Sequence, residues 1–325
     1  MTSVAQVEEP LRTGVRIASR DLVVDLSPRG ARLVRMWART SSGRWRDVLS
    51  GPADDEGYLA SPSYAGATIG RVANRIAGGR LDIDGTAYEL DRNDDGRTLH
   101  GGGDGFDRRT WQVVSTTSGC AVLRLESPDG DQGFPGRVVV TARFVVVGDR
   151  LGVRFRATTD RPTCVALTVH PYLHVADDPA DARLWVPAAA WLPAAGKVPT
   201  GVVEPLDGHP ADLRPGRSLA DLVGATGGVD HTYAVDGTGM RPVARLRGRD
   251  VEVRMSSDQP GLHVYTAHDL PDTGGEPVRG VALEPGLYPD AVHHETWRSP
   301  VLRAPEVYVW NAMLRGGPAR PLQLV

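Results

Sequence analysis

CAVLRLESPDGDQGFPGRVVVTARFVVVGDRLGVRFRATT, residues 120–159, decides the fold class of this chain. Its three runs CAVLRLES, RVVVTARFVVV and LGVRFRATT place apolar side chains at roughly every second position. That is the period of a strand with one face in a core. The clusters between the runs, SPDGDQGFPG and VGDR, are rich in turn-forming Gly, Pro and Asp, so successive strands fold back as antiparallel neighbours. TWQVVST just before and TCVALTV just after continue the alternation, extending the meander at both ends.

The pattern spreads outward from there. Towards the N-terminus, VRIAS, LVVDLSP, ARLVRMWA and RWRDVLSG read as short strands, with a first sheet starting near Val15 after a flexible tail over residues 1–13. LDIDGTAYEL reads as a hairpin: Leu81 and Ile83, then Asp84-Gly85 as a two-residue turn of positive φ, then Ala87, Tyr88 and Leu90. Towards the C-terminus, DVEVRMSS, GLHVYTAHD, VRGVALEP and EVYVWNAMLR resume the strand period. Residues 176–229, rich in Pro, Gly, Ala and Asp, read as long loops over a sheet end, with PGRSLADLVG as a short helical turn. No amphipathic helix of about 12 residues and no fixed-period repeat is visible. The reading is all-β: a large antiparallel β-sandwich forming a single domain over residues 1–325.

Composition narrows the function classes. A hydrophobic fraction of 41% supports a large core, and 38 Gly with 25 Pro fit many turns between short strands. A formal net charge of −3 gives no electrostatic reason for nucleic acid or an anionic membrane as partner, so a neutral small molecule is the expected ligand. Lys197 is the single lysine; the other cations are arginines. Cys120 and Cys164 lie in apolar runs and read as two buried reduced thiols. The N-terminus lacks the apolar run of a secretory signal and no segment approaches the ~18 apolar residues of a membrane helix, so a cytoplasmic location is expected, as monomer or homodimer.

Several chemistries lack their residues. There is no HExxH and no CxxC, and the adjacent His293 and His294 would point to opposite faces of an extended segment, so no metal is expected. HGGGDG has no following Lys-Ser/Thr for a phosphate loop, and a GxSxG elbow is missing. What remains is a set of single polar residues at strand ends: Asn74 and Arg75 in GRVANRIAGG, His100 in TLHGGGDGFD, His170 in TVHPYLH, Asp230 and His231 in GGVDHTY, and Glu284 in ALEPGLYPDA. Taken alone, each is open between packing and chemistry. Glu is seldom buried unless paired, and His170 ends an apolar run as a packed histidine also would.

GRVANRIAGG, TLHGGGDGFDRRTW, SPDGDQGFPG, HPYLHV, VDHTY, VYTAHDL and LEPGLYPDA occur in an order and spacing that resemble the aldose 1-epimerase (galactose mutarotase) family, over residues 31–314. The resemblance implies the galactose mutarotase-like supersandwich fold, a sugar substrate and no cofactor. It implies Glu284 as general base and His170 as general acid, with His100 assisting at the sugar ring. Asn74, Arg75, Asp230 and His263 would hold hydroxyls. A base that is ionised and an acid that is protonated at one pH call for a Glu284 raised towards neutrality and a His170 kept cationic by a nearby carboxylate, on opposite sides of the sugar. Phe106, Tyr172 and Tyr288 are candidate faces for sugar C–H groups.

The sequence departs from the family pattern at Val169 and Pro171 beside His170, at His263 where a glutamine is common, and at Gly286. These changes imply an altered substrate shell, in an ordinary hexose mutarotase or in a relative turned to a less hydroxylated hemiacetal or deoxysugar. A sugar-binding protein without catalysis would not need both Glu284 and His170.

Overall fold

The computed structural model describes residues 14–268, 270 and 278–319; the expected tail over residues 1–13 lies outside them. Two large antiparallel sheets share one buried apolar cluster. In the nine-stranded sheet the order is Gln112–Thr117, Cys120–Ser127, Val138–Val147, Arg150–Thr159, Tyr308–Pro318, Val251–Ser257, Arg241–Arg247, Arg183–Trp185, Arg217–Ser218. The seven-stranded sheet runs Glu204–Pro205, Ala190–Leu192, Asp230–Ala234, Gly261–Tyr265, Val281–Gly286, Tyr172–Leu173, Leu49–Ser50. A four-stranded sheet over residues 15–47 adds Leu22, Val24 and Met36 to the same core. The large antiparallel β-sandwich read from the alternation is therefore the observed architecture.

The period-2 pattern explains the burial residue by residue. Along Val138–Val147, Val138, Val140, Ala142, Phe144 and Val146 are buried, while Arg143 and Val147 face out. Leu151, Val153, Phe155 and Ala157 do the same from Arg150–Thr159. Each fully buried Val, Leu or Phe side chain stabilises the fold by roughly 1.5–3 kcal/mol relative to exposure, so slipping either strand by one residue would forfeit several such contributions. The hairpin also forms as read: Arg80–Ile83 pairs with Thr86–Glu89, and Asp84 (φ 56°) and Gly85 (φ 78°) make its turn. Leu81, Ile83 and Leu90 bury into a second, smaller cluster.

Other segments differ from the sequence reading. TCVALTV is not one strand: Thr163–Cys164 pairs with Val301–Leu302 and Thr168–Val169 with Thr68–Ile69, because both faces of the run are buried and its backbone crosses between sheets. RWRDVLSG likewise splits at Val48 between two sheets. Residues 176–229 are more than loops: Arg183–Trp185, Ala190–Leu192, Glu204–Pro205 and Arg217–Ser218 supply outer strands to both large sheets. These strands are only two or three residues long, too short to show a period. The helical turn in PGRSLADLVG is the helix Leu219–Thr226, capped by Ser218, whose Oγ accepts the Asp221 N–H. A second helix, Asp55–Ala60, begins at Asp54, whose side chain accepts the Gly57 N–H, with Asp55 and Glu56 in its first turn. Cys164 is buried as expected, whereas Cys120, at the start of a strand, is half-buried. Among the described residues no helix is long and apolar enough to cross a membrane.

Candidate active site

Three neighbouring strands of the seven-stranded sheet form the floor of a polar cavity. Register pairs Asp230 with Tyr265, Thr232 with His263, and His263 with Glu284. Directly opposed residues of antiparallel strands project to the same face, so these side chains share one surface. The alternate residues Leu262, Val264 and Leu283 lie in the apolar core. The rigid platform is thus the polar half of the same alternation that builds the sandwich.

The walls come mainly from segments that precede these strands in the chain, between residues 62 and 197. Arg75–Ile76 pairs with Thr98–Leu99, and the His100 N–H donates to the Asn74 carbonyl at 2.9 Å. In return the Asn74 N–H donates to His100 Nδ1 at 3.2 Å. Asn74 and His100 both adopt positive φ, 60° and 53°, which turns the chain around the cavity. Arg75 is aimed by Asp94, whose carboxylate accepts from its Nε at 2.9 Å and also holds Arg97 at 3.0 Å. His170 is fixed by its own backbone, its N–H donating to Ala67 and its carbonyl accepting from Gly66. Its Nε2 lies 3.2 Å from Glu284 Oε1, and its Nδ1 is buried without a hydrogen-bond partner. Asn74, Arg75, His100, His170 and Glu284, together with Tyr64, Tyr172, Lys197 and Tyr265, line a cavity of about 120 Å³; Asp94 supports it from behind Arg75.

The electrostatics divide the histidines. His263 Nε2 meets Asp230 Oδ1 at 2.8 Å and its Nδ1 meets the Thr232 hydroxyl at 2.9 Å, so both ring N–H groups of an imidazolium have acceptors. Burial opposes that charge, but the hydrogen bond and charge of Asp230, with Glu284 nearby, prevail and raise the pKa above the usual histidine value. Burial likewise works against ionised Asp230, yet His263, Arg75 and Lys197 hold it well below the usual carboxylate range. His100 is pushed far below the ordinary histidine value by burial, reinforced by His170. With Nδ1 accepting from Asn74, the neutral His100 ring carries its proton on Nε2.

His170 corrects an expectation. Burial lowers its pKa more than Glu284 raises it, and the His263 charge adds to the lowering, so the resting ring is biased to the neutral form and not held cationic. Nor does it stand across a gap from Glu284; the two touch. The aromatic expectations divide as well. Tyr172 lines the cavity, its ring 5.1 Å from that of His170. Phe106 is buried edge-on against Trp111, and Tyr288 packs against Trp297 beside the Gly261 backbone. Both lie outside the cavity lining.

Of the four departures only His263 reaches the cavity. Val169 is a core residue, and Pro171 and Gly286 lie outside the lining, so the shell changes at one position, not four. His231 packs at a tilt against Trp191, 4.8 Å between ring centres, and lies outside the cavity lining. His293 and His294, expected on opposite faces, converge on Asp290 at 2.6 and 3.8 Å because residues 291–293 form a 3₁₀ turn. Tyr64, Asp94 and Lys197 were not singled out as site residues from the sequence. Lys197, whose Nζ is 4.0 Å from Asp230 Oδ2, carried one signal, being the single lysine in an arginine-rich chain.

His100, His170 and Glu284 offer ligand atoms within 4.8 Å of one another, the one such group found among the described residues. The donor pattern suits proton transfer better than coordination, because His100 presents an N–H and not a lone pair to the cavity.

The family model for aldose 1-epimerase matches residues 15–315. The chain belongs to the aldose 1-epimerase family. It is 33% identical over 310 residues to the aldose 1-epimerase of Escherichia coli, covering 88% of this chain and 90% of that one. It is 35% identical over 308 residues to the human galactose mutarotase, covering 88% and 89%. In structure it resembles an aldose epimerase homologue from C. elegans at TM-score 0.89 and 23% identity, over 94% of this chain and 99% of that one. It also resembles a galactose 1-epimerase from Lactobacillus acidophilus at TM-score 0.83 and 20% identity, over 94% of each. The aldose 1-epimerase family is one of isomerases, and these likenesses place the sandwich within its fold.

Proposed function

We propose that this protein interconverts the α and β anomers of an aldohexose such as glucose or galactose. The observation that carries the reading is the contact of His170 Nε2 with Glu284 Oε1 at 3.2 Å, inside a buried cavity ringed by Asn74, Arg75, His100, Asp230 and His263. The names of the E. coli and human relatives support it.

Glu284 takes the proton of the anomeric hydroxyl while His170, in the fraction that carries the imidazolium, gives one to the ring oxygen. The bond between C1 and the ring oxygen breaks, leaving an open-chain aldehyde. Rotation about C1–C2 presents the other carbonyl face. Closure reverses both proton transfers, so the pair ends as it began and no electrons are exchanged. Substrate entry separates His170 from Glu284, each taking a sugar oxygen in place of the other. His100 Nε2–H donates near the ring, Arg75, aimed by Asp94, donates to hydroxyls, and Asp230 accepts from them. Tyr172 offers a face to C–H groups. The chain acts as one unit, as monomer or homodimer in the cytoplasm, on a neutral sugar and without a cofactor.

Polarimetry tests the reading. Purified protein is expected to speed the approach of fresh α-D-glucose or α-D-galactose to anomeric equilibrium, and Glu284→Gln to lose at least ~10²-fold of that rate. A folded wild type that gives no acceleration on either sugar would overturn it.

A further inference from the structure

The outer face of the nine-stranded sheet carries an unusual row of charge. Register places Arg150 opposite Arg315, Arg315 opposite Arg254, Arg254 opposite Arg245, and Arg245 opposite Trp185. Four arginines on four adjacent strands thus stand shoulder to shoulder, ending at an indole on the fifth. Like charges directly opposed across strands are destabilising. The local carboxylates halve the excess: Glu252 bonds both Arg245 and Arg254, and Asp149 bonds Arg315 at 2.6 Å with Arg150 at 3.8 Å. Two carboxylates therefore serve four guanidiniums, in a protein whose formal net charge is −3.

The row lies in a groove of about 710 Å³, walled at one end by Arg183, Arg214 and the Pro215-Gly216 loop. That volume is in the range of sites for small organic ligands. Arg245, Arg254 and Arg315 keep 25%, 37% and 32% of their side chains exposed, so their heads are recessed yet reachable. Five strands at ~4.8 Å spacing make the row roughly 19 Å long. Guanidinium forks match phosphate oxygens in pairs, and an indole offers a stacking face for a flat ring. The neighbours that alternate with the row, Leu246, Val253 and Leu314, point into the core, which separates this face from the His170–Glu284 cavity.

We infer that this groove binds a nucleoside polyphosphate, its heterocycle against Trp185 and its phosphates along Arg245, Arg254 and Arg315. A recessed row bounded by an aromatic ring favours such a ligand over an acidic protein surface, which would need to protrude into the groove. The inference stands independently of the sugar chemistry, since no residue is shared between the two sites.

Isothermal titration of the folded full chain with ATP, inorganic triphosphate and a glutamate-rich peptide, at low salt, is the test. ATP is expected to bind one to one and most tightly, with affinity falling as salt rises. Arg254→Ser and, separately, Arg315→Ser should each weaken ATP roughly tenfold to a hundredfold. Trp185→Ala should weaken ATP but not triphosphate. All three variants should melt near the wild-type temperature and keep the wild type's rate in the polarimetric assay. No binding of ATP at ~1 mM overturns the proposal. So does ATP affinity unchanged in both arginine variants, triphosphate binding as tightly as ATP, or a peptide binding more tightly than either.

Discussion

The imidazole of His263 sits between Asp230 and Thr232, with Glu284 directly across the strand pair. Where the family commonly has a neutral amide, this chain therefore sets a positive charge beside the base. Two effects follow from its sign. The raised pKa of His263 means that the stability it adds is full below the unfolded value near 6.5 and is lost as pH rises through the folded one. The melting-temperature gap between wild type and His263→Gln should accordingly shrink as pH increases from about 6. Conversely, the lowered pKa of His170, due first to burial, means that its imidazolium is already lost below about pH 6.5. kcat/KM should fall with rising pH across that region, and His263→Gln, by removing a nearby cation, should move the fall to higher pH. A wild-type profile flat from pH 5 to 8 would refute the assignment of His170 as the acid. At this scale the sequence pointed to most of the polar residues that line the cavity, but not to Tyr64 or Lys197, nor to any charge state. Which of burial and a neighbouring carboxylate prevails depends on packing that one-dimensional order does not display.

Elements hold these side chains at fixed angles, among them the pairing of Arg75–Ile76 with Thr98–Leu99, which sets Asn74 against His100. The turn that follows His100 leaves Gly101 at φ 91°, where a Cβ would stand 2.0 Å from the Gly70 carbonyl oxygen. That neighbour is backbone and cannot step aside cheaply. Gly101→Ala should cost at least ~1–3 kcal/mol in a urea melt and lower kcat/KM through displacement of His100. Wild-type stability and rate together would show that the turn is looser than its geometry. Legibility at this scale followed length. The ten-residue strands Val138–Val147 and Arg150–Thr159 and the Asp84-Gly85 hairpin were visible in the sequence, having enough residues to show a period or a turn with a specific φ demand. The two- and three-residue strands within residues 176–229, and the break in TCVALTV, were not, because their pairing is decided by the sheets they meet.

Across the whole molecule the two sheets meet at Trp310, which stacks on Phe155 of its own sheet at 4.7 Å and donates its Nε1–H to the Pro285 carbonyl of the other at 2.7 Å. The Thr168 hydroxyl donates to that same oxygen at 2.9 Å. The residue after Glu284 is therefore pinned from the opposite sheet and from the segment that carries His170. Trp310→Phe keeps an aromatic ring but leaves one bond to Pro285 unmade, and should cost about 2 kcal/mol in denaturant unfolding. It should also lower kcat roughly tenfold with KM little changed, because the base loses part of its aim. An unchanged kcat would separate the sheet packing from the site. The family and the sandwich were readable from seven ordered motifs and the alternation, whereas this tie between layers joins residues with no shared pattern. The strand order has a further consequence. Tyr308–Pro318 comes last in sequence among the nine strands, yet lies fifth across the sheet, between Arg150–Thr159 and Val251–Ser257. During synthesis both of those strands keep an unpaired edge until Tyr308–Pro318 has left the ribosome. Nascent chains that stall before Tyr308 would offer two adhesive edges at once, so the demand for chaperones should stay high until Tyr308–Pro318 emerges.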